Sequence, residues 1–513
     1  MSQTAKSESA ASGAESSTQL LQSSIKFFHI VLMVTAAAAP LVVVSTYIPI
    51  SISAGAGMST ALTYAATTAI LFIFSIGFAQ MAKRITSAGA FYTFTAQGLG
   101  RPMGLSVGLT ILAAYSMISA AIVGGFGFFA SALLAEHFGL SLAWYWCSFL
   151  ALATMLAISF YKVTITARIL GVLLTLEVLI VLIVAFATVG SGGASGQVPE
   201  VFDPSEWGAA PAIGVGFFLA FWSWIGFETT ALYGEETQDP KQSVPRATYI
   251  SVLTLGAVYT FVSYAGLVGY GQDSPEQATN LIDQYFFELA DAYTFAGVRT
   301  AMDFLVVSGF FACAFAFHNN AARYFYSLGR DGILPRALGR THQIHRSPHI
   351  AAAVQVTIAS VTVALFAIGG ADPILHLATW LPIFCTLAVI VVQLLVSVAV
   401  VGYFNRVGRE TTGDFLKTLA APVVGAVAQL VVVVLLLRNL TFLAGADALV
   451  VKLIPLYVAV IAIGGFVYAL WLRSRDAERF EAIGMLHDDE LVELFADEGY
   501  VGDDSSNERR VAE

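Results

Sequence analysis

The sequence predicts an all-α integral membrane protein of about twelve transmembrane helices, a 5+5 inverted repeat plus two C-terminal helices, with the first and sixth helices broken. Three observations carry this. Hydrophobic residues make up 57% of the 513-residue chain and charged residues only 12%, about half the charged share usual in soluble domains. Apolar runs near the ~20 residues needed to cross a bilayer recur along the chain. Two of those runs, five spans apart, are interrupted in their middle, the mark of an inverted repeat with a binding site between its halves.

The runs fall near 27–48, 57–80, 104–134, 143–161, 169–189, 209–234, 247–270, 299–328, 350–369, 374–403, 419–438 and 453–472. The long third and eighth runs are each counted as one span. Residues 25–475 then form one transmembrane domain. Residues 1–24 are Ser- and Ala-rich with no apolar period, and are expected to be a disordered tail. Residues 476–513 are acidic and read as a second solvated tail, with one short amphipathic stretch at Asp489–Phe495.

Positive residues orient the chain. Lys83 and Arg84, Lys162 and Arg168, Lys241 and Arg246, Arg323 to Arg346, and Arg406 to Lys417 gather in alternate loops, whereas the other loops hold only Arg299, Arg438 and Lys452. The positive-inside rule puts both termini in the cytoplasm of a cell-membrane protein. The net charge of −10 does not conflict, because the rule counts Lys and Arg near span ends. The first apolar run follows a polar tail and is a full span, so it does not read as a cleavable signal.

The first span carries Ala36-Ala37-Ala38-Ala39-Pro40, and proline removes a rung of the helical ladder. Pro40 taken alone reads equally as an ordinary kink. The sixth span runs Phe221-Trp222-Ser223-Trp224-Ile225-Gly226-Phe227-Glu228. Gly226 weakens the helix beside it, and a carboxylate at the depth of Glu228 is expensive unless it meets a cavity or a partner. Glu177 is a second acid, in the fifth span. His318 reads either as a proton relay or as a packed histidine. Cys147, Cys313 and Cys385 sit in spans at unrelated positions, with no disulfide or metal framework.

These patterns weigh against other classes. A channel needs a continuous polar stripe or a charge ring. A membrane enzyme needs a nucleophile–base pair or metal ligands, and a primary pump a phosphate loop. None is legible, so no enzyme activity, cofactor, metal or nucleic-acid partner is expected.

Four motifs in order resemble the amino acid–polyamine–organocation superfamily, the amino acid permeases, over most of residues 25–475. Phe221-Trp-Ser-Trp-Ile-Gly-Phe-Glu228 is similar to the Phe-x-Gly-Phe-Glu signature, and its form to that of the bacterial arginine–agmatine exchanger. Gly234-Glu-Glu-Thr-Gln-Asp-Pro-Lys-Gln-Ser-Val-Pro-Arg246 matches the loop that follows. Ser87-Ala-Gly-Ala-Phe-Tyr92 resembles the approach to the third span, and Arg323-Tyr-Phe-Tyr-Ser-Leu-Gly-Arg-Asp-Gly-Ile-Leu-Pro335 the loop after the eighth. The resemblance implies a leucine-transporter-like fold. Two departures stand out. Ala36–Pro40 replaces the Gly-x-Gly of many permeases, and Glu177 stands where some proton-coupled relatives carry lysine.

The resemblance implies a secondary active transporter of amino acids, proton-coupled and working by alternating access. An exchanger and a carrier of polyamines or other organocations are the alternatives. Backbone N–H groups at the start of an inner half-helix suit a substrate carboxylate, and carbonyls at the end of an outer half-helix suit its ammonium. Expected binding residues are Ala36 to Pro40, Tyr115, Trp222, Ser223, Ile225 and Gly226, with Trp222 as a closing ring or as core packing. Glu228 is expected to couple transport to protons or to lock the inner half-helix. A buried acid satisfied by hydroxyls is the plainer alternative. Glu177 is a proton site or part of a polar network. Glu235 and Glu236, with Arg246, form either a cytoplasmic gate or a solvated loop.

Overall fold

A computed structural model describes residue 20 and residues 25–485 apart from 161–162, 195–198, 209, 410 and 444–448. The tail 1–24, apart from Leu20, and the stretch Asp489–Phe495 lie outside the described residues. Eleven helices are long and apolar enough to cross a membrane, and the fourth in order, Trp144–Ser159, is a shorter apolar helix. Among the described residues there is no strand, only one isolated parallel bridge between Ile25 and Thr237.

The first span runs Phe27–Gly55 and the second Gly57–Arg84. A short helix, Phe91–Leu99, leads into the third span, Arg101–Phe138, which is one unbroken helix. The fifth is Val163–Gly190, the sixth Ile213–Glu236 and the seventh Pro240–Tyr270. The eighth, Val298–Arg330, is again continuous, and His349–Ile368 and Ala378–Val407 complete the ten-span core. Thr412–Arg438 and Ile454–Arg475 follow. The twelfth span shows Leu456, Val460, Ile463 and Val467 to its surroundings, at the helical spacing of a lipid-facing stripe. Its other face rests on the third span, where Ser106 Oγ donates to the Ala462 carbonyl at 2.7 Å.

Both interruptions have local causes. Proline disfavours the α conformation in the residue before it, and Ala39 is left-handed (φ 41°, ψ 71°), so the helix Phe27–Ala38 ends there and a new one starts at Pro40. In the sixth span Ile213–Trp224 is α-helical, Ile225 is extended, Gly226 takes φ 117°, and Phe227–Glu236 continues as a tighter helix. A side chain at Gly226 would sit 2.7 Å from Ala37 Cβ. The two breaks therefore touch.

The structure differs from a wholly solvated tail over 476–513. After the twelfth span the chain turns at Asp476, whose side chain caps the helix Ala477–Ala482, and Ile483 is buried.

Candidate functional site

The site is built from backbone groups that the two interruptions free. Without a Pro40 N–H, the Ala36 carbonyl is taken by Ala39 N at 3.2 Å. The next two carbonyls find side chains: Cys313 Sγ donates to Ala37 O at 3.1 Å and Tyr259 Oη to Ala38 O at 2.7 Å. A carbonyl oxygen has two lone pairs, so each retains room for a further donor. On the other side of the break, the Leu41 amide lies near the Glu177 carboxylate. Glu177 is 1% exposed, and its Oε2 has no hydrogen-bond partner among the described residues.

The sixth span repeats this arrangement. Gly226 N donates to Glu228 Oε2 at 3.0 Å, and Tyr115 Oη donates to Glu228 Oε1 at 2.7 Å. Thr229 N and Oγ1 both donate to Gly226 O, at 3.1 and 2.6 Å. Glu228 is 2% exposed. At both breaks, then, a buried carboxylate faces a backbone amide, and Glu228 caps that of Gly226. A helix start favours an anion there, and here the protein supplies its own.

Between the breaks lies a small pocket lined by Ala37, Ala38, Ala39, Val42, Val43, Tyr47, Ile122, Trp222, Ile225, Cys313 and Phe317. Trp222 forms one wall, edge-on to Tyr47 with ring centroids 6.0 Å apart. Of the residues expected to bind, Ala37 to Ala39, Trp222 and Ile225 line the pocket. Ala36, Pro40 and Gly226 shape the breaks behind it. Tyr115 reaches Glu228 and packs on Phe317 at 5.5 Å. Ser223 turns away, donating to Leu219 O at 2.7 Å and meeting Tyr64 Oη at 3.1 Å. Cys313 and Phe317, from the eighth span, were not legible in the sequence, because nothing in an apolar run says which face meets a cavity.

At the end of the sixth span Glu235 and Glu236 are paired, but with the eighth span. Arg330 Nη2 and Nη1 grip Glu235 Oε1 and Oε2 at 2.9 and 3.1 Å, and Ala88 N adds a bond to Oε1 at 2.8 Å. Arg323 Nη2 and Nε reach Glu236 Oε2 at 2.6 and 3.0 Å, with the guanidinium 4.1 Å over the Tyr233 ring. Arg246, expected here, is exposed on the seventh span instead. Arg323 and Arg330 are two helical turns apart on one face, a spacing that reads as a gate only once Glu235 and Glu236 are known to lie opposite. Ile25 N bonds to Glu236 O and Gln238 N to Ile25 O, both at 2.8 Å, which pins the chain entrance to the same place.

His318 lies elsewhere. Its Nε2 meets Ser159 Oγ at 2.9 Å and its ring stacks on Phe315, which favours the packed histidine over a relay.

A profile described as amino acid permease matches residues 25–467. The chain is similar to the branched-chain amino acid permease BcaP of Bacillus subtilis, 24% identical over 319 residues, 59% of this chain and 66% of that protein. It is similar to an uncharacterized transporter of Rhizobium meliloti, 27% identical over 303 residues, 56% of this chain and 61% of that protein. To the low-affinity putrescine importer PlaP of Escherichia coli K12 it is 25% identical over 345 residues, 64% of this chain and 72% of that one. The chain thus spans about two thirds of the length of the curated relatives it matches. Among solved structures, MhsT in complex with L-phenylalanine superposes with a TM-score of 0.55 at 13% identity, covering 81% of this chain and 99% of that one. That likeness concerns the fold alone, which is leucine-transporter-like.

Proposed function

The chain belongs to the amino acid permease family and is a transporter rather than an enzyme, and we propose that it carries neutral, apolar α-amino acids across the plasma membrane by alternating access. The observation that carries the reading is the pocket at the touching breaks. Its walls are alanine, valine, isoleucine, phenylalanine and tryptophan, joined by the Tyr47 ring and the Cys313 thiol, with polar backbone at one end. An apolar side chain gains about 25 cal/mol for each Å2 it buries there. The substrate ammonium meets the spare lone pairs of Ala37 O and Ala38 O. The substrate carboxylate competes with Glu228 for the Gly226 amide. This competition is the proposed coupling step: a Glu228 displaced from Gly226 loses a hydrogen bond that stabilises its charge, and so takes up a proton as the substrate binds. The branched-chain amino acid permease among the relatives agrees with this substrate class.

A second reading has its own observation. Glu177 and Glu228 are two buried carboxylates at the breaks, and the described residues place no Lys or Arg in the pocket wall. That arrangement suits an amine, and a putrescine importer is among the relatives. Counterflow in proteoliposomes decides between them. Unlabelled leucine, isoleucine, valine and phenylalanine should drive uptake of labelled leucine, and putrescine and agmatine should not. The opposite pattern would establish the amine carrier, and no counterflow with either set would sink both. Proton coupling is read from uptake with and without an imposed proton gradient. Glu228→Gln should lose gradient-driven uptake and keep part of the exchange.

Orientation follows from charge. Arg84, Arg330, Arg336 and Arg340 lie at span ends on the side of the gate, and the positive-inside rule supports the reading that this face and both termini are cytoplasmic. A cysteine at exposed Phe295 should label from outside intact cells, and one at exposed Ile344 should not. The reverse would invert the orientation.

A further inference from the structure

The segment after the twelfth span is bound into the face of the gate by more than packing. Gly484 N donates to Tyr92 Oη at 2.7 Å and to Asp331 Oδ2 at 3.2 Å, and Tyr92 Oη donates to the same Asp331 oxygen at 2.7 Å. Gln97 Nε2 donates to Gly484 O at 3.1 Å, and Arg101 Nε to Glu481 O at 3.1 Å. Arg101 also pairs with the Glu481 carboxylate at 2.6 Å, and Phe480 sits under the guanidinium groups of both Arg101 and Arg473. Gly484 has φ +62°, and a side chain there would come within 2.4 Å of Ala96 Cβ. This is a fitted seat for one backbone conformation of one glycine.

The seat adjoins the gate on two sides. Asp331 directly follows Arg330, whose guanidinium holds Glu235. Tyr92 lies four residues after Ala88, whose amide is held by the same Glu235. With Gly484 in place, Asp331 and Tyr92 are fixed against each other, and Arg330 and Ala88 stand where Glu235 can bind both. With Gly484 gone, a buried carboxylate loses a donor, and the short helix Phe91–Leu99 loses its tie to the segment after the twelfth span. Unsatisfied buried polar groups are costly, so the pair would hydrate and spread, and the gate would lose its footing.

We propose that Ala477–Met485 is an autoinhibitory strap: seated, it holds the Glu235–Arg330 gate closed, and released, it lets the pocket open to that face. The inference rests on the transport reading of the pocket, and its test separates the two.

Cys313 lines the pocket and is 4% exposed, so its thiol reports on opening. In a full-length Cys147→Ala/Cys385→Ala background it is the sole cysteine. Sealed vesicles with the gate face outward are treated with a small, membrane-impermeant thiol reagent. Gly484→Val unseats the strap and should raise the labelling rate of Cys313 at least fivefold. Arg101→Ala, which removes the tie to Glu481 and so partly unseats the strap, should raise it about twofold to threefold, and Glu478→Gln, whose 3.9 Å contact with Arg336 is solvent-exposed on both sides, should leave it unchanged. Melting temperature is measured for each. Should Gly484→Val fail to fold, Arg101→Ala decides the matter. Labelling that stays at the parent rate in a folded unseating variant overturns the strap. Labelling that rises as expected in a protein showing no counterflow with any amino acid or amine leaves the strap standing and removes the transport reading.

Discussion

Arg323 and Glu236 are 3% and 4% exposed in their side chains, and replacing one partner should act on the closed gate more than on the fold. Arg323→Met keeps much of the volume and removes the charge. Glu236 is left in a dry place with no cation, and breaking a buried pair in this way costs about 3–5 kcal/mol. The guanidinium over Tyr233 at 4.1 Å adds about 0.5–2 kcal/mol of cation–π attraction that is also lost. If the pair exists only while the gate is shut, the whole cost falls on the closed state. At about 1.4 kcal/mol per decade, the combined loss of about 3.5–7 kcal/mol should drop the closed-to-open ratio by roughly three-hundredfold to a hundred-thousandfold. The assay is labelling of Cys313 from the gate face, with melting temperature alongside. The double variant Arg323→Met/Glu236→Met removes both charges and should recover most of the closed state, because an apolar pair often replaces a buried ion pair at little cost. A fall in melting temperature with no change in labelling would mean that the pair holds the fold in every state, and would refute its role as a gate.

Three further outcomes are expected. Gly226→Ala adds about 1–3 kcal/mol of backbone strain at φ 117° and a similar overpacking cost, with Ala37 Cβ at 2.7 Å and a Phe317 ring carbon at 3.3 Å; uptake should fall at least tenfold, and Ala37→Gly in the same chain should restore part of it, whereas full activity in the single variant would show that the breaks need not touch. Trp222→Leu, which removes the ring against Tyr47, should raise the half-saturation concentration several-fold at equal expression, and an unchanged value would reduce Trp222 to packing. Asp331, outside the spans, has its carboxyl pushed by burial from an ordinary 3.8 up to about 6, with Arg330, the Tyr92 hydroxyl and the Gly484 amide pulling it down and Glu235 adding to the rise. The seated strap therefore favours the protonated acid: its advantage is full below 3.8 and is lost as pH rises through about 6, by at most about a hundredfold. Cys313 labelling, taken relative to Asp331→Asn at each pH, should thus slow as the gate-side pH falls from 7 to 5, and a flat ratio would show that Asp331 does not titrate with opening.

The parts legible from sequence are those whose physics is local. Twelve apolar runs, the Pro40 and Gly226 interruptions and their spacing of five spans follow from composition and from what proline and glycine do to a helix, and the helices stand where the runs do. The third and eighth spans are long enough to invite a split, yet nothing inside either breaks the ladder, and both are continuous. The chemistry of Glu228 was visible because a carboxylate at that depth needs a partner. That the partner is the hydroxyl of Tyr115, 113 residues earlier, depends on how two spans cross. The same limit hid Arg323 and Arg330, which look like ordinary positive residues at a span end until the sixth span brings Glu236 and Glu235 to them.

Glu177 shows the limit most clearly. A lone acid in the fifth span reads as a proton site or as a piece of a polar network, and sequence has no means of choosing. Its carboxylate lies near the Leu41 amide, just past the first break, as that of Glu228 caps Gly226 at the second. The two acids therefore hold corresponding places in the two halves of an inverted repeat. An amino acid carboxylate that enters the pocket must share or displace one of them, and the two are not equivalent. Glu228 has Tyr115 to fall back on, whereas the second oxygen of Glu177 has no partner among the described residues. Displacement is thus easier at Gly226 than at Leu41, in keeping with the proposal that the substrate's carboxylate competes with Glu228 beside the sixth span.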